Sequence, residues 1–378
     1  MELITLELRP RLQSCNVFIS MQKDLCLKNV RIKLLESTIV LIVENCSISF
    51  SLPSVKVIPT SLSMLNIMNN WVCFRLQTVP LESAFGSFST EVMTNLNKLV
   101  QSNTHSQSIV NDIKLLFESS KCTILCTCCK NVISKLISFK RFLPLPDAEY
   151  DPDEWFCCKH SCNSVSNSVQ PQESDYLYGS CFSVLHKNTF ASNVCTDNKT
   201  LSCNKCLLHI GTFHAYNLFK IWNCCIDYKP ENSTLSITNA TNPLSDFLIL
   251  VKSSLTEILG EEIILQTSVG KQMHRLLIKP MDCKLNLITE PDYVTVCDTD
   301  TISLRQKYAA KVLYKYEKNE EFTVITNYLN VKYHDVGLPL IEAGLNYLLS
   351  STKRLPHVYR TAAIDYFLGY IVLQEILN

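Results

Sequence analysis

The chain has 378 residues, with 35 Lys and Arg against 35 Asp and Glu, so its formal net charge is zero. No cationic excess is available to neutralise phosphates, which excludes nucleic-acid binding by bulk electrostatics. Hydrophobic residues make up 47% and charged residues 19%, which excludes a disordered chain and leaves the surface poorer in charge than usual.

The first residues, "MELITLELRP", lack the basic and then apolar regions of a secretory leader. The longest apolar run, "IVLIV" at 39–43, falls far short of the ~20 residues a membrane helix needs. The expectation is a soluble protein of the cytoplasm, with the nucleus as a second location and no membrane partner. In that reducing setting the 19 cysteines read as packing residues or metal ligands rather than disulfides. The Asn232 and Asn239 glycosylation triplets are then expected to be unmodified.

In chain order, residues 1–80 hold short, β-branched, partly alternating runs: "LITLELRP", "RIKLLESTIVLIVEN", "SISFSLPS", "VKVIPTS" and "WVCFRLQT". They predict an antiparallel sheet or sandwich. Over 82–120 the period becomes helical, with Phe85, Phe88, Val92 and Leu96 on one face and Ile109, Ile113 and Phe117 on another. These helices are expected to cover the sheet.

Residues 121–230 carry most of the cysteines, and 161–175 reads as a polar loop. From 231 onward the pattern is mixed. "LSDFLILVKSSLTEILGEE" predicts a helix capped by Ser245, and "IILQTSV", "HRLLIKPM", "KLNLIT", "AAKVLYKYE" and "EFTVITNYLNVKY" predict strands. "LPLIEAGLNYLLSSTKRLP" and "YRTAAIDYFLGYIVLQEIL" predict helices. The expected class is α+β. A β-rich domain with helices spans 1–120, a zinc-stapled cysteine-rich region 121–230, and a mixed α/β domain 231–378.

Two C-x-x-C pairs stand out: Cys126 with Cys129, and Cys203 with Cys206. Four thiolates suit one tetrahedral structural Zn²⁺, and the two-residue spacing lets a tight turn aim both sulfurs at one ion. The 73 residues between the pairs exceed zinc-finger spacing, so such a site would tie distant segments together. Cys122 or Cys128 can replace one ligand of the first pair, and His209 and His214 flank the second. The competing reading is two apolar turns in a cysteine-rich background.

Midway between the pairs, "DEWFCCKH" follows an acidic run of Asp147, Glu149, Asp151, Asp153 and Glu154. A second zinc site from Cys157, Cys158, His160 and Cys162 would be cramped. A packing role anchored by Trp155 and Phe156 is open. An activated nucleophile needs cationic neighbours, and the surrounding acids oppose it. An acidic loop bearing a thiol instead suits a positively charged metal centre on a partner.

These segments carry a family resemblance. "CTCCKNVISKLISFKRFLPLPDAEYDPDEWFCCKH", "PQESDYLYGSCFSVL" and "CNKCLLHIGT" follow one order: C-x-x-C, R-x-L-P-L-P from Arg141 to Pro146, Trp-x-Cys, Pro-Gln-Glu-x-Asp, C-x-x-C. The chain resembles the HECT-like ubiquitin-ligase family described as binding a ubiquitin-conjugating enzyme. The resemblance is specific over about 122–212 and 55–78 and looser elsewhere. It implies a ubiquitin-protein ligase that accepts ubiquitin from that enzyme. It also implies a second, ligase-independent activity: inhibition of the zinc-dependent, metallo-β-lactamase-type endonuclease of mRNA 3′-end cleavage and polyadenylation. There the loop Asp153, Glu154, Trp155, Phe156 would enter the nuclease and the Cys157 sulfur would meet its zinc. The family usually has His after that cysteine; here Cys158 stands there, and it is the alternative contact. The resemblance identifies no catalytic residue. A HECT thioester cysteine lies near the end of its domain, and no cysteine follows Cys297. The alternative to both activities is a zinc-stapled scaffold or adaptor without thiol chemistry.

Overall fold

The computed structural model describes residues 3–21, 29–44, 46–80, 113–145, 171–179, 181–197, 200–214, 217–232, 242–255, 261–291, 301–319, 331–363 and 365–375. They are largely β and mostly antiparallel, with two helices longer than ten residues. The helical share is therefore smaller than the α+β expectation, partly because a predicted C-terminal helix is strand. None of the described helices is long and apolar enough to cross a membrane. The chain forms two compact units: Met1–Val92 with Ile278–Lys315 and Tyr347–Asn378, and Met93–Leu277 with Tyr316–Asn346.

The first unit is built on β1 (Leu3–Arg9), β2 (Ser14–Ser20), β3 (Val30–Leu34), β4 (Thr38–Val43), β5 (Cys46–Ser51), β6 (Val55–Val57), β7 (Ser63–Met68) and β8 (Trp71–Pro80). β1 pairs antiparallel with β2 on one side and with the strand Gln272–Thr289 on the other, where Leu6 faces Ile288. β2 pairs in turn with β8. Alternation along β1 sends Ile4, Leu6 and Leu8 into a core shared with Ile39, Leu41 and Val43 of β4 and Phe50 of β5. Burying side chains of this size contributes ~1.5–3 kcal/mol each.

The opposite face of β1 is buried as well. Glu7 accepts bonds there from Lys311 Nζ (2.6 Å), Tyr370 OH (2.7 Å), Asn16 Nδ2 (3.0 Å) and Arg9 Nη2 (3.2 Å). Burial pushes its carboxyl upward, but Lys311, Tyr370 and Asn16 outweigh that and hold it below the usual carboxylate range.

The second unit contains β9 (Cys122–Cys126), β10 (Arg141–Pro144), β11 (Asp175–Tyr178), β12 (Phe182–His186), β13 (Val194–Asp197), β14 (Thr200–Cys203), β15 (His209–Phe213), β16 (Leu218–Trp222) and β17 (Ile226–Pro230). Seven of these form a sheet in the order β10-β11-β12-β16-β15-β14-β13, while β9 pairs with β17. Phe117, Phe139, Phe142, Tyr176 and Tyr228 pack ring to ring beside it. The buried Tyr228, Tyr176, Ser183 and Asn223 side chains link their polar atoms in series at 2.9, 2.6 and 2.6 Å. A burial that would strand two phenol groups is thereby satisfied internally.

Two expectations are corrected. The helix predicted across 359–377 is instead, over its described residues, the end of a 3-10 turn, His357–Tyr359, followed by strands Thr361–Ala363 and Tyr366–Glu375. Its apolar run has no polar face, so periodicity cannot decide, and pairing with Arg305–Asn319 does. Gly369 belongs in that strand because a Cβ there would come within 2.9 Å of Ser351 Oγ. The helix Pro243–Leu255 also starts earlier than a Ser245 cap allows. Pro243 supplies its first turn, and Asn242 Oδ1 accepts from Leu244 N at 3.0 Å. The helices expected over 82–112 lie outside the described residues.

Candidate metal centre

β9 and β14 each end on a cysteine, Cys126 and Cys203, and each continues into a tight turn. The two turns are built alike. Lys130 N donates to Cys126 O at 2.9 Å, and Leu207 N donates to Cys203 O at 2.9 Å. Cys126 N donates to Asn131 O at 2.8 Å, and Cys203 N donates to Leu208 O at 3.0 Å. Lys130 (φ 55°) and Leu207 (φ 60°), one residue past each second cysteine, both take the left-handed conformation. A C-x-x-C followed by one left-handed residue thus closes two equivalent knuckles.

Equivalent knuckles aim equivalent sulfurs. The Sγ atoms of Cys126, Cys129, Cys203 and Cys206 all lie within 4.8 Å of one another. Across the knuckles, Cys126 and Cys206 are 3.6 Å apart and Cys129 and Cys203 are 3.5 Å apart. These distances are far too long for disulfides. A tetrahedron with Zn–S of ~2.3 Å spaces its sulfurs at about 3.8 Å, so the spacing of the four thiols is compatible with that metal. Cys126 and Cys203 are buried, while Cys129 and Cys206 are partly covered.

Backbone amides prepare the sulfurs for negative charge. In the first knuckle the N–H groups of Cys129 and Cys128 point at Cys126 Sγ, and in the second those of Cys206 and Lys205 point at Cys203 Sγ. Burial pushes the Cys126 thiol up despite these donors. Burial also acts upward on Cys203, but its amides, the Asn131 side chain and the Cys129 thiol bring it down to about 7.

The Cys122 and Cys128 alternatives fall away among the described residues. Cys128 is exposed, and Cys122 is buried against Ser120, so neither belongs to the converging set. His209 is buried but also lies outside that set.

Sequence reasoning missed Asn131, which binds the knuckles to each other. Its Nδ2 lies 3.6 Å from Cys203 Sγ, 3.0 Å from Asn204 Oδ1 and 3.4 Å from Asn193 O. Its position two residues past the second cysteine was the available signal. Lys130, in the same knuckle, also reaches the buried Asp227 at 2.6 Å.

The proposed loop residues Asp153, Glu154, Trp155, Phe156, Cys157 and Cys158 lie outside the described residues. The strands that flank them are described. β10 and β11 pair in parallel, Arg141 with Asp175 through Pro144 with Tyr178. Arg141 clamps the buried Asp175 through two bonds, Nε to Oδ1 at 2.7 Å and Nη2 to Oδ2 at 2.6 Å. Gln172 N adds a third bond to that carboxylate at 2.8 Å. The first Arg of R-x-L-P-L-P and the Asp of Pro-Gln-Glu-x-Asp are therefore one structural pair.

A largely β protein with two matched C-x-x-C knuckles converging on one four-thiol cluster is the class these observations define. The chain belongs to the HECT-like ubiquitin-conjugating enzyme (E2)-binding family, whose model matches residues 7–367. No curated protein and no solved structure matches the chain.

Proposed function

We propose that this protein is a ubiquitin-ligase-like partner of a ubiquitin-conjugating enzyme, held in shape by one structural Zn²⁺ on Cys126, Cys129, Cys203 and Cys206. The family match over nearly the whole chain carries the partner. The four-thiol geometry supports the metal. The metal's contribution is structural. Its ligands come from two turns 73 residues apart in sequence, so binding it ties the β9–β17 strand pair to β14, next to the edge strand of the seven-stranded sheet. The test is metal analysis of the purified chain, with binding to a panel of conjugating enzymes before and after chelation. One zinc per chain and chelator-sensitive binding are expected. A metal-free chain that binds its enzyme equally well would remove the zinc from the proposal.

A second reading concerns the segment between the knuckles. Five acids over 147–154 precede Trp155, Phe156 and Cys157. We infer that this loop inhibits the zinc-dependent mRNA 3′-end endonuclease, a role that would place the protein in the nucleus as well as the cytoplasm. The acids would draw it toward a cationic dizinc cleft, and the Cys157 thiolate would displace the attacking water. The partner's zinc would itself lower the thiol's pKa, so no cationic neighbour is needed within the loop. Support comes from the motif order and from the Arg141–Asp175 clamp on the flanking strands. Cys157→Ser should abolish inhibition and keep the chain's own metal content. If Cys158→Ser does so instead, the contact is the neighbouring sulfur. If neither does, the protein is a scaffold without thiol chemistry toward the nuclease.

A further inference from the structure

Lys220 of β16 stands where the pattern of the sheet calls for an apolar residue. β12 and β16 pair antiparallel, with Phe182 opposite Trp222 and Val184 opposite Lys220. Alternate residues of a strand share a face, so these four side chains form one patch in the interior of the seven-stranded sheet. Three of them are core residues: Phe182 is 2% exposed, Val184 1% and Trp222 2%. Lys220 is half-buried among them.

An ammonium carries three N–H donors and ordinarily places them in water or on a carboxylate. Lys130 of the same unit does so, on Asp227 at 2.6 Å. The Nζ of Lys220 instead lies 4.2 Å from the centre of the Phe182 ring and 5.0 Å from that of Trp222. Among the described residues no hydrogen bond or ion pair accompanies these two contacts.

Two consequences follow from this placement. Burial strips water from the ammonium and favours the neutral amine, so the pKa of Lys220 is pulled below the ordinary lysine value, although Cys181 and Asp335 act the other way. A desolvated neutral amine is how a lysine becomes a nucleophile toward carbonyl carbon. The ring faces act differently, because they attract a cation. That attraction selects among products. Acylation would leave a neutral amide and forfeit it. Condensation with an aldehyde leaves a protonated imine, which keeps the positive charge on the same nitrogen over the same rings.

We propose that Lys220 is a Schiff-base site, whose amine, set over the Phe182 and Trp222 rings, condenses reversibly with an aldehyde that has a flat, apolar body. The rings and Val184 supply the apolar surface for that body. The nitrogen attacks the carbonyl carbon, and the π pair moves to oxygen to give a carbinolamine. The C–O bond then breaks, and water leaves with the carbonyl oxygen and two of the ammonium's protons. Aldehyde and ammonium thus become iminium and water, with nothing oxidised or reduced. This site is independent of enzyme binding, so the failure of either reading leaves the other standing.

The test treats the full chain with benzaldehyde across a pH series, traps imines with cyanoborohydride as the hydride donor, and locates them by peptide mass spectrometry. Exposed Lys135 of the same unit is the internal comparison. At neutral pH Lys220 should label about tenfold or more faster than Lys135, since each unit of lowered pKa raises the neutral fraction tenfold. Its rate should also level off at lower pH. Lys220→Arg keeps a cation over the rings, so it should melt like wild type and lose the fast site. The wild-type comparison of the two lysines decides the matter even if that variant misfolds. Labelling of Lys220 no faster than Lys135 overturns the proposal and leaves a structural cation–π contact. Fast acetylation of Lys220 by the acetyl thioester of N-acetylcysteamine, without trapping by the aldehyde, overturns it in favour of an acyl-accepting lysine.

Discussion

Glu7→Gln is expected to destabilise the first unit severely while changing the shape of the side chain very little. Glu7 is fully buried and its Oε1 lies 2.6 Å from Lys311 Nζ. At an effective dielectric of about 20, such a contact is worth roughly 6 kcal/mol before desolvation is subtracted. Glutamine keeps the size but not the charge. It strands Lys311, whose only ion-pair partner among the described residues is Glu7 and whose side chain is 13% exposed. Removing one member of a buried pair typically costs about 3–5 kcal/mol, a large share of a domain's total. For a unit of this size that lowers the melting point by about 10 °C.

Urea unfolding across acidic pH supplies a second check. The folded-state pKa of Glu7 is depressed, so its contribution is full above the unfolded carboxyl value and is lost as pH falls through the lower folded value. The wild type should weaken on that acid limb, and the variant should lack this component. Lys311→Met in the Glu7→Gln background should recover part of the loss, because the orphaned ammonium is gone. A loss below about 1 kcal/mol for Glu7→Gln, with no recovery in the double variant, would show that the pair is energetically idle.

Cys206→Ser should lower zinc stoichiometry and increase proteolysis of the second unit, whereas Cys128→Ser, at an exposed position in the other knuckle, should leave both unchanged; elemental analysis and limited proteolysis distinguish them. Gly344→Ala should cost about 1–3 kcal/mol in a denaturant melt, since the added methyl would fall inside contact distance of the Phe247 ring. Arg141→Lys keeps the charge but loses the two-pronged grip on Asp175, so hydrogen exchange of the β10 and β11 amides should rise while metal content stays constant. Asn131→Ala should speed zinc loss to a competing chelator, because it removes the amide that links one knuckle to the Cys203 sulfur of the other.

How much was legible depended on how local the determining physics was. A C-x-x-C knuckle is set by a few consecutive residues, so Cys126, Cys129, Cys203 and Cys206 could be picked out without coordinates. Alternation in "LITLELR" and the short β-branched apolar run "TIVLIV" likewise announced β1 and β4, because side-chain direction in a strand has period two and β-branched residues favour strands. The place of Asn131 beside the knuckle was a local signal, but its role was not, because its partners, Asn193 and Cys203, come from a distant stretch of chain. The segment Tyr366–Glu375 read as helix because an apolar run around Gly369 has no period to betray it.

The sequence by itself thus determined the β-rich character, the two knuckles and the order of motifs that marks the family. Tertiary structure alone decided that residues near both ends of the chain share one unit, where Glu7 of β1 meets Lys311 and Tyr370. It alone revealed that "SMLNIM" forms a strand with exposed apolar side chains. Both are questions of which surface covers which, and that depends on partners far away in sequence.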